Sequence, residues 1–221
     1  MKIFLDSADE LQIKFWSGQG VLDGVTTNPL VLLRDGVTDP ERVLTELARL
    51  TAPGVFHAEV THASGPFLVS EARALSSIGD NVAVKVPVLT PEGESCLAEI
   101  SELSRAGVVV NTTACLTLGQ VVLAAKAGAR YLSVLVGRVD DEGGDGAQVL
   151  AKAREWLDRW GYEAELIAAS LRGTADVMRA IDAGAHCVTV PPAVLAKLVD
   201  HKFSRHTVRE FLEAAETTNA A

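Results

Sequence analysis

Short apolar runs rich in β-branched residues recur along this chain, and stretches with helical periodicity lie between them. The runs near 2–6, 22–27, 55–61, 82–88, 107–112, 130–136, 165–170 and 186–190 predict eight strands. Their spacing is typically about 25–30 residues, the length of one βα unit. Amphipathic stretches at 66–77, 92–106, 116–127, 147–160 and 174–183 predict helices. Gly79, Gly107, Gly128 and Gly184 follow several of them, where a C-capping glycine belongs. Eight strands alternating with helices in 221 residues predict an α/β fold, a single (β/α)8 TIM barrel. A doubly wound open sheet is the alternative. No linker or low-complexity tract interrupts the pattern, so residues 1–221 read as one barrel domain, with 204–221 as a C-terminal helix and tail. Within that tail, 206–215 predicts the helix and 216–221 a frayed end.

One strand carries an anomaly. In Val82-Ala83-Val84-Lys85-Val86-Pro87-Val88, alternation puts the valines on one face and Ala83, Lys85 and Pro87 on the other. A lysine on a strand buried on both faces loses hydration, which favours the neutral amine. A neutral amine in a dry pocket is the nucleophile of Schiff-base chemistry on carbonyl substrates. The bland reading is a strand that ends early and lets Lys85 reach water. The other strands argue against it, because polar residues gather at their C-terminal ends, where a barrel carries its chemistry. They are Asp6, then Thr26, Thr27 and Asn28 with Pro29 at a helix start, Glu59, Asn111 and Thr113, Ser133 and Arg138, then Ser170 and Arg172. Singly, Thr26, Asn28 and Ser170 read as helix caps. A whole ring around a buried lysine reads as a catalytic mouth.

Composition narrows this picture. At 48% hydrophobic residues the chain fills one substantial core, and a net charge of -9 disfavours nucleic acid as a partner. The three cysteines, Cys96, Cys115 and Cys187, are far apart and form no disulfide framework, which points to a reducing compartment. Asp6 interrupts the N-terminal apolar run too early for a signal peptide, and no run approaches membrane-spanning length. A cytoplasmic protein without membrane contact is expected. The five histidines show no metal-ligand spacing, so no metal is expected. His57 shares the parity of Glu59, which leaves a pocket role open to it as the minor alternative, while His186, His201 and His206 read as surface or packing residues. The acidic segment 140–146 lacks the Ca²⁺-loop pattern and reads as a solvated flexible loop. Cys115 reads as a small buried hydrophobe.

Six segments carry a family resemblance: Leu5-Asp6-Ser7-Ala8, Gly24-Val25-Thr26-Thr27-Asn28-Pro29, Val84-Lys85-Val86-Pro87, Asn111-Thr112-Thr113, Val136-Gly137-Arg138-Val139-Asp140 and Ala168-Ala169-Ser170-Leu171-Arg172. In this order they resemble the transaldolase family, and the length resembles its short branch, which includes fructose-6-phosphate aldolases. The resemblance implies a class I aldolase barrel and sugar-phosphate substrates. It implies transfer of a dihydroxyacetone unit without metal or organic cofactor. It also implies ring-shaped homo-oligomers, pentamers or decamers, in which C-terminal helices reach a neighbour. Phe203, Val208, Phe211 and Leu212 would supply the apolar contacts of that arm.

The roles implied by the resemblance follow position by position. Lys85 attacks the ketose carbonyl, and Asp6 takes a hydroxyl proton as the carbon–carbon bond breaks. Glu59 acts with Thr113, through a water, at the carbinolamine. Asn28 and Asn111 hold hydroxyls, while Thr26 and Ser133 line the pocket. Arg138, Ser170 and Arg172 hold the phosphate, for which a guanidinium fork is suited. Glu59 resembles transaldolases rather than the aldolases, which carry Gln, and so favours transfer. Leu135 departs from the aromatic residue typical of the family and reshapes the donor wall. The alternatives are an aldolase releasing dihydroxyacetone, a specialised transferase extending a pentose phosphate to an eight-carbon sugar, and a non-catalytic sugar-phosphate-binding barrel.

Overall fold

In the computed structural model, which describes residues 1–219, eight parallel strands close a barrel in chain order. They are β1 (Lys2–Asp6), β2 (Gly24–Thr26), β3 (Val55–Glu59), β4 (Val82–Pro87), β5 (Val110–Cys115), β6 (Tyr131–Leu135), β7 (Glu165–Ala169) and β8 (Cys187–Val190). β8 pairs back onto β1, with Lys2 opposite Cys187 and Leu5 opposite Val190. Around them run α1 (Glu10–Gly18), α2 (Pro29–Arg34), α3 (Pro40–Thr51), α4 (Gly65–Ser76), α5 (Leu97–Arg105), α6 (Leu118–Lys126), α7 (Val136–Asp141), α8 (Gly146–Trp160), α9 (Thr174–Asp182), α10 (Pro192–Val199) and α11 (Lys202–Asn219). The α/β TIM barrel expected from the pattern is therefore the fold observed.

Local chemistry explains the helices. In α3, Val43, Leu44, Leu47, Ala48 and Thr51 are buried at the spacing of one helical face. Pro40 begins that helix, and the Asp39 side chain caps it by accepting from the Arg42 amide. In α8, Asp145 caps the start, and Gly161 ends the helix in the left-handed region at φ 67°. Outward strand residues such as Leu5, Phe56, Val84, Leu132 and Leu166 join these helices in the main core. A second cluster of Phe4, Ala83, Tyr131, Ile167 and Cys187 fills the barrel's interior. Beneath it, Glu165 accepts from Lys2 at 2.8 Å and from Arg130 at 2.7 Å, so charges close the base.

Several boundaries differ from the sequence pattern, each for a local reason. β5 spans Val110–Cys115 rather than 107–112, because Gly107 at φ 84° still belongs to the turn after α5. α5 begins at Leu97, since Thr90 Oγ1 accepts from the amides of Glu92 and Glu94 and holds that stretch in a turn. The acidic segment is not a free loop. Asp140 and Asp145 both bind Arg179, at 3.0 and 3.1 Å, and Asp140 also accepts from the Gly146 amide at 2.8 Å. The C-terminal helix begins at Lys202 and continues to Asn219, past the expected start of fraying, while Ala220 and Ala221 lie outside the described residues. Among the described residues, no helix is long and apolar enough to cross a membrane.

Candidate active site

At the C-terminal mouth of the barrel the strands surround a cavity of about 510 Å³. Lys85 forms its floor, only 7% exposed. Its strand does not end early. β4 continues to Pro87, and parity turns Lys85 inward beside Glu59 in the β3–β4 register. The ammonium is not bare, however. Nζ lies 2.9 Å from Glu59 Oε2 and donates to the Thr27 carbonyl at 2.9 Å. A buried cation needs such partners, because an unpaired one costs several kcal/mol.

Asp6 ends β1 on the same inner face. Thr26 Oγ1 donates to Asp6 Oδ1 at 3.1 Å and shares a 2.6 Å hydrogen bond with Thr189 of β8. Burial pushes the Asp6 carboxyl above the usual carboxylate range, while Lys85, the Thr26 hydroxyl and Arg34 pull against it. The site thus holds two carboxylates in different settings, one on the amine and one apart from it.

Asn28 has the role its position alone predicts, a cap, with Oδ1 accepting from the Val31 amide at 2.9 Å, and it also lines the cavity. Asn111 is wholly buried and fixed from two sides. Ser133 Oγ donates to its Oδ1 at 2.8 Å, and its Nδ2 lies 3.1 Å from His57 Nδ1. That imidazole sits between the rings of Phe4 and Tyr131, with centroids 4.9 and 4.8 Å away. Burial holds the His57 pKa down at about 3, so the ring is neutral and Nδ1 accepts from Asn111. Thr113 precedes an irregularity where β5 shifts register against β6, and Ala114 there has φ 58°.

The β6–β7 side carries the cations. Arg138 projects from α7 into the cavity, beside Ser170, whose φ is 60°. Gly137 is packed so closely under Ser170 that a Cβ would stand 2.3 Å from the Ser170 carbonyl oxygen. Arg172 does not line the cavity. Its guanidinium forms a fork with Asp141 at 2.6 and 2.5 Å and reaches the Gly137 carbonyl at 3.3 Å. Asp6, Thr26, Asn28, Glu59, Lys85, Asn111, Thr113, Ser133, Arg138 and Ser170 line the cavity, whereas Thr27 is wholly buried and its hydroxyl donates to the His57 carbonyl at 3.1 Å.

Sequence reasoning missed two residues of this cavity and gave a third, His57, too little weight. Arg34 lines the cavity from the end of α2, and Thr189 lines it from β8. His57 is more than packing, because it orients Asn111. Thr189 was legible from the parity of Cys187 and Thr189. Arg34 had a fainter signal, a lone cation closing the helix that Asn28 and Pro29 begin. Cys115 is the buried hydrophobe expected, its thiol pushed up to about 12 by burial. Among the described residues, no group of three or more His, Cys, Asp and Glu side chains gathers as a metal site would require.

The family model for transaldolase/fructose-6-phosphate aldolase matches residues 3–221. The chain is 40% identical over 213 residues to a protein described as "Probable transaldolase" from Streptococcus pyogenes serotype M5 (strain Manfredo), covering 96% of this chain and 97% of the relative. A protein of the same description from Streptococcus pyogenes serotype M1 matches at 40% identity over the same shares. The solved structure described as "Native KDPGal structure" superposes with a TM-score of 0.59 at 14% identity, covering 85% of this chain and 81% of that one, a likeness of fold.

Proposed function

The chain belongs to the transaldolase/fructose-6-phosphate aldolase family, and on that premise we propose that it transfers a dihydroxyacetone unit from a ketose phosphate to an aldose phosphate through a Schiff base on Lys85. The observation that carries this reading is the buried amine of Lys85 with the Glu59 carboxylate 2.9 Å away at the floor of the mouth. Glu59 takes a proton from the ammonium, and the free amine adds to the ketose carbonyl. The same carboxyl, with Thr113, then returns a proton as water leaves the carbinolamine and the imine forms. Asp6 accepts the proton of the donor's hydroxyl, the adjacent carbon–carbon bond breaks, and the imine takes up the electron pair as an enamine. The aldose leaves, an acceptor aldose enters, and the steps run in reverse.

Asn28, Asn111, Thr26 and Ser133 hold the three-carbon unit. Arg138 and Ser170 receive the phosphate, whose binding energy orients the reacting carbons. Arg172 joins them only by leaving Asp141. A non-catalytic binder has no use for a buried amine paired with a carboxylate, which counts against that alternative. The other readings differ in the fate of the enamine. Protonation returns the imine, whose hydrolysis by water releases dihydroxyacetone and frees the Lys85 amine, whereas capture by a pentose phosphate makes an eight-carbon sugar. Leu135 lines the cavity and is smaller than the aromatic residue typical of the family, which supports acceptance of such a longer aldose.

We further propose that the protein assembles as a ring of identical subunits. α11 supports this, since Phe203, Val208, Phe211 and Leu212 are exposed along it.

Two experiments test the function. Borohydride added with fructose 6-phosphate should leave a three-carbon remnant on Lys85 and abolish activity; an adduct elsewhere, or none with several ketose phosphates, sinks the mechanism. Fructose 6-phosphate is then given with erythrose 4-phosphate or ribose 5-phosphate, and products are resolved by mass. Release of dihydroxyacetone dominating with every acceptor makes the protein an aldolase instead.

A further inference from the structure

We propose that Arg34 and Asp35, at the C-terminal end of α2, clamp the β1–α1 loop and thereby act as positioning residues for Asp6. The inference rests on the reaction assigned above. Asp6 is the last residue of β1, so beyond it the barrel's ladder no longer fixes the backbone. The clamp takes over at that point. Arg34 Nη2 donates to the Asp6 carbonyl at 2.9 Å, and Asp35 Oδ2 accepts from the Ala8 amide at 2.8 Å and from Ser7 Oγ at 3.0 Å. Three consecutive residues, from the end of β1 into the loop, are thus held by the last residue of one short helix and its C-cap. The two holders are locked to each other, since Arg34 Nε donates to Asp35 Oδ1 at 2.7 Å and Nη2 to Oδ2 at 3.1 Å. The second edge of the loop is tied inwardly, where Ser7 Oγ accepts from the Asp9 amide at 3.1 Å.

The arrangement also acts through charge. Arg34 Nη1 stands 3.8 Å from Asp6 Oδ2, too long for a strong hydrogen bond but close enough to favour the carboxylate. The groups that face Asp6 are Lys85 from β4, the Thr26 hydroxyl from β2, and Arg34 and Asp35 from α2; of these only Asp35 opposes ionisation. A base that must be charged to accept a proton, in a site that disfavours charge, needs such a cation. Asn28, which lines the same cavity, caps the start of α2, so one six-residue helix registers both a hydroxyl-binding amide and the base through its two flanking ends.

Three variants separate the two contributions: Arg34→Lys, Arg34→Gln and Asp35→Asn. Hydrogen–deuterium exchange read by mass spectrometry, over peptides containing residues 3–12, should rise in Arg34→Gln and Asp35→Asn. In each, kcat should fall about 10- to 100-fold with a smaller change in KM, as for a reacting group displaced by a fraction of an ångström to an ångström. The acid limb of kcat/KM should move to higher pH in Arg34→Gln, because loss of the cation favours the protonated carboxyl. It should stay in place in Arg34→Lys, which keeps the charge and loses the fork; the substrate phosphate titrates alike in all. Unchanged exchange in both Arg34→Gln and Asp35→Asn overturns the clamp, and so does an acid limb identical in Arg34→Gln and wild type. If wild type gives no borohydride adduct on Lys85, the transfer reading falls, while the exchange measurement still decides the clamp.

Discussion

Replacing His57 with phenylalanine should change how the protein responds to acid, in a way that its buried position sets. The imidazole is wholly buried between Phe4 and Tyr131, and among the described residues its Nε2 finds no hydrogen-bond partner. Burial lowers its pKa from 6.5 to about 3. The unfolded chain takes up a proton near 6.5, and the folded chain does so only near 3. Between those values the unfolded state binds more protons, so stability falls as pH falls. The loss is about 1.4 kcal/mol per pH unit, and about 4–5 kcal/mol across the window. His57→Phe keeps a ring in the same slot and cannot titrate. It also takes the acceptor from Asn111 Nδ2, which costs about 1–3 kcal/mol in a buried site. The wild type should therefore be the more stable protein near neutrality, and the two should cross between roughly pH 4 and 6. Urea unfolding followed by circular dichroism, from about pH 7.5 to about pH 4 at one fixed protomer concentration, measures this directly. Stability curves that stay parallel through the window would refute the argument.

Five further outcomes are expected. Glu59→Gln should shift products from transfer toward release of dihydroxyacetone, because an amide cannot carry the carboxyl's proton traffic; an unchanged product ratio counts against that role. Arg138→Ala should raise KM for phosphorylated substrates by a loss on the order of 2–5 kcal/mol while sparing free dihydroxyacetone. Asp141→Asn should lower that KM by releasing Arg172, and steady-state kinetics showing no change would remove Arg172 from phosphate binding. Gly137→Ala should destabilise the fold by about 1–3 kcal/mol, since its Cβ would collide with the Ser170 carbonyl; a melting temperature equal to wild type contradicts the packing. Truncation before Lys202 should dissolve the oligomer in sedimentation at micromolar concentration, and a full-length chain that is itself a monomer excludes the arm.

The strands and the inner ring were legible because both are written in period two. Val84, Val86 and Val88 against Lys85 and Pro87 declare two faces, and a lysine on the inner one needs partners. Glu59 was visible by the same parity one strand away. What was not legible depends on contacts between neighbouring βα units. Asp141 and Arg172 are 31 positions apart, and only the approach of α7 to the end of β7 makes them a pair. The acidic segment read as mobile because nothing local pairs its carboxylates; Arg179 does so from α9. Arg34 was missed because α2 has only six residues, too few for periodicity to show. The shift in β5 hinges on Ala114, a non-glycine residue in the left-handed region that no turn motif announces.

The pairing of β1 with β8 bears on how the molecule comes into being. As the chain leaves the ribosome, β1 is made first, yet one of its two edges finds its partner only when Cys187–Val190 appears. Until then that edge is open to other chains, the hazard of any large fold whose contacts are far apart in sequence. Thr26 likewise waits for Thr189, 163 positions later, to complete the bonded pair behind Asp6. Asp6, Glu59 and Lys85 all lie in the first half of the barrel, but their wall toward β8 does not exist until the last strand docks. A nascent chain arrested before residue 187 should therefore bind holdase chaperones and capture no ketose on Lys85, whereas the released full-length chain should do the reverse.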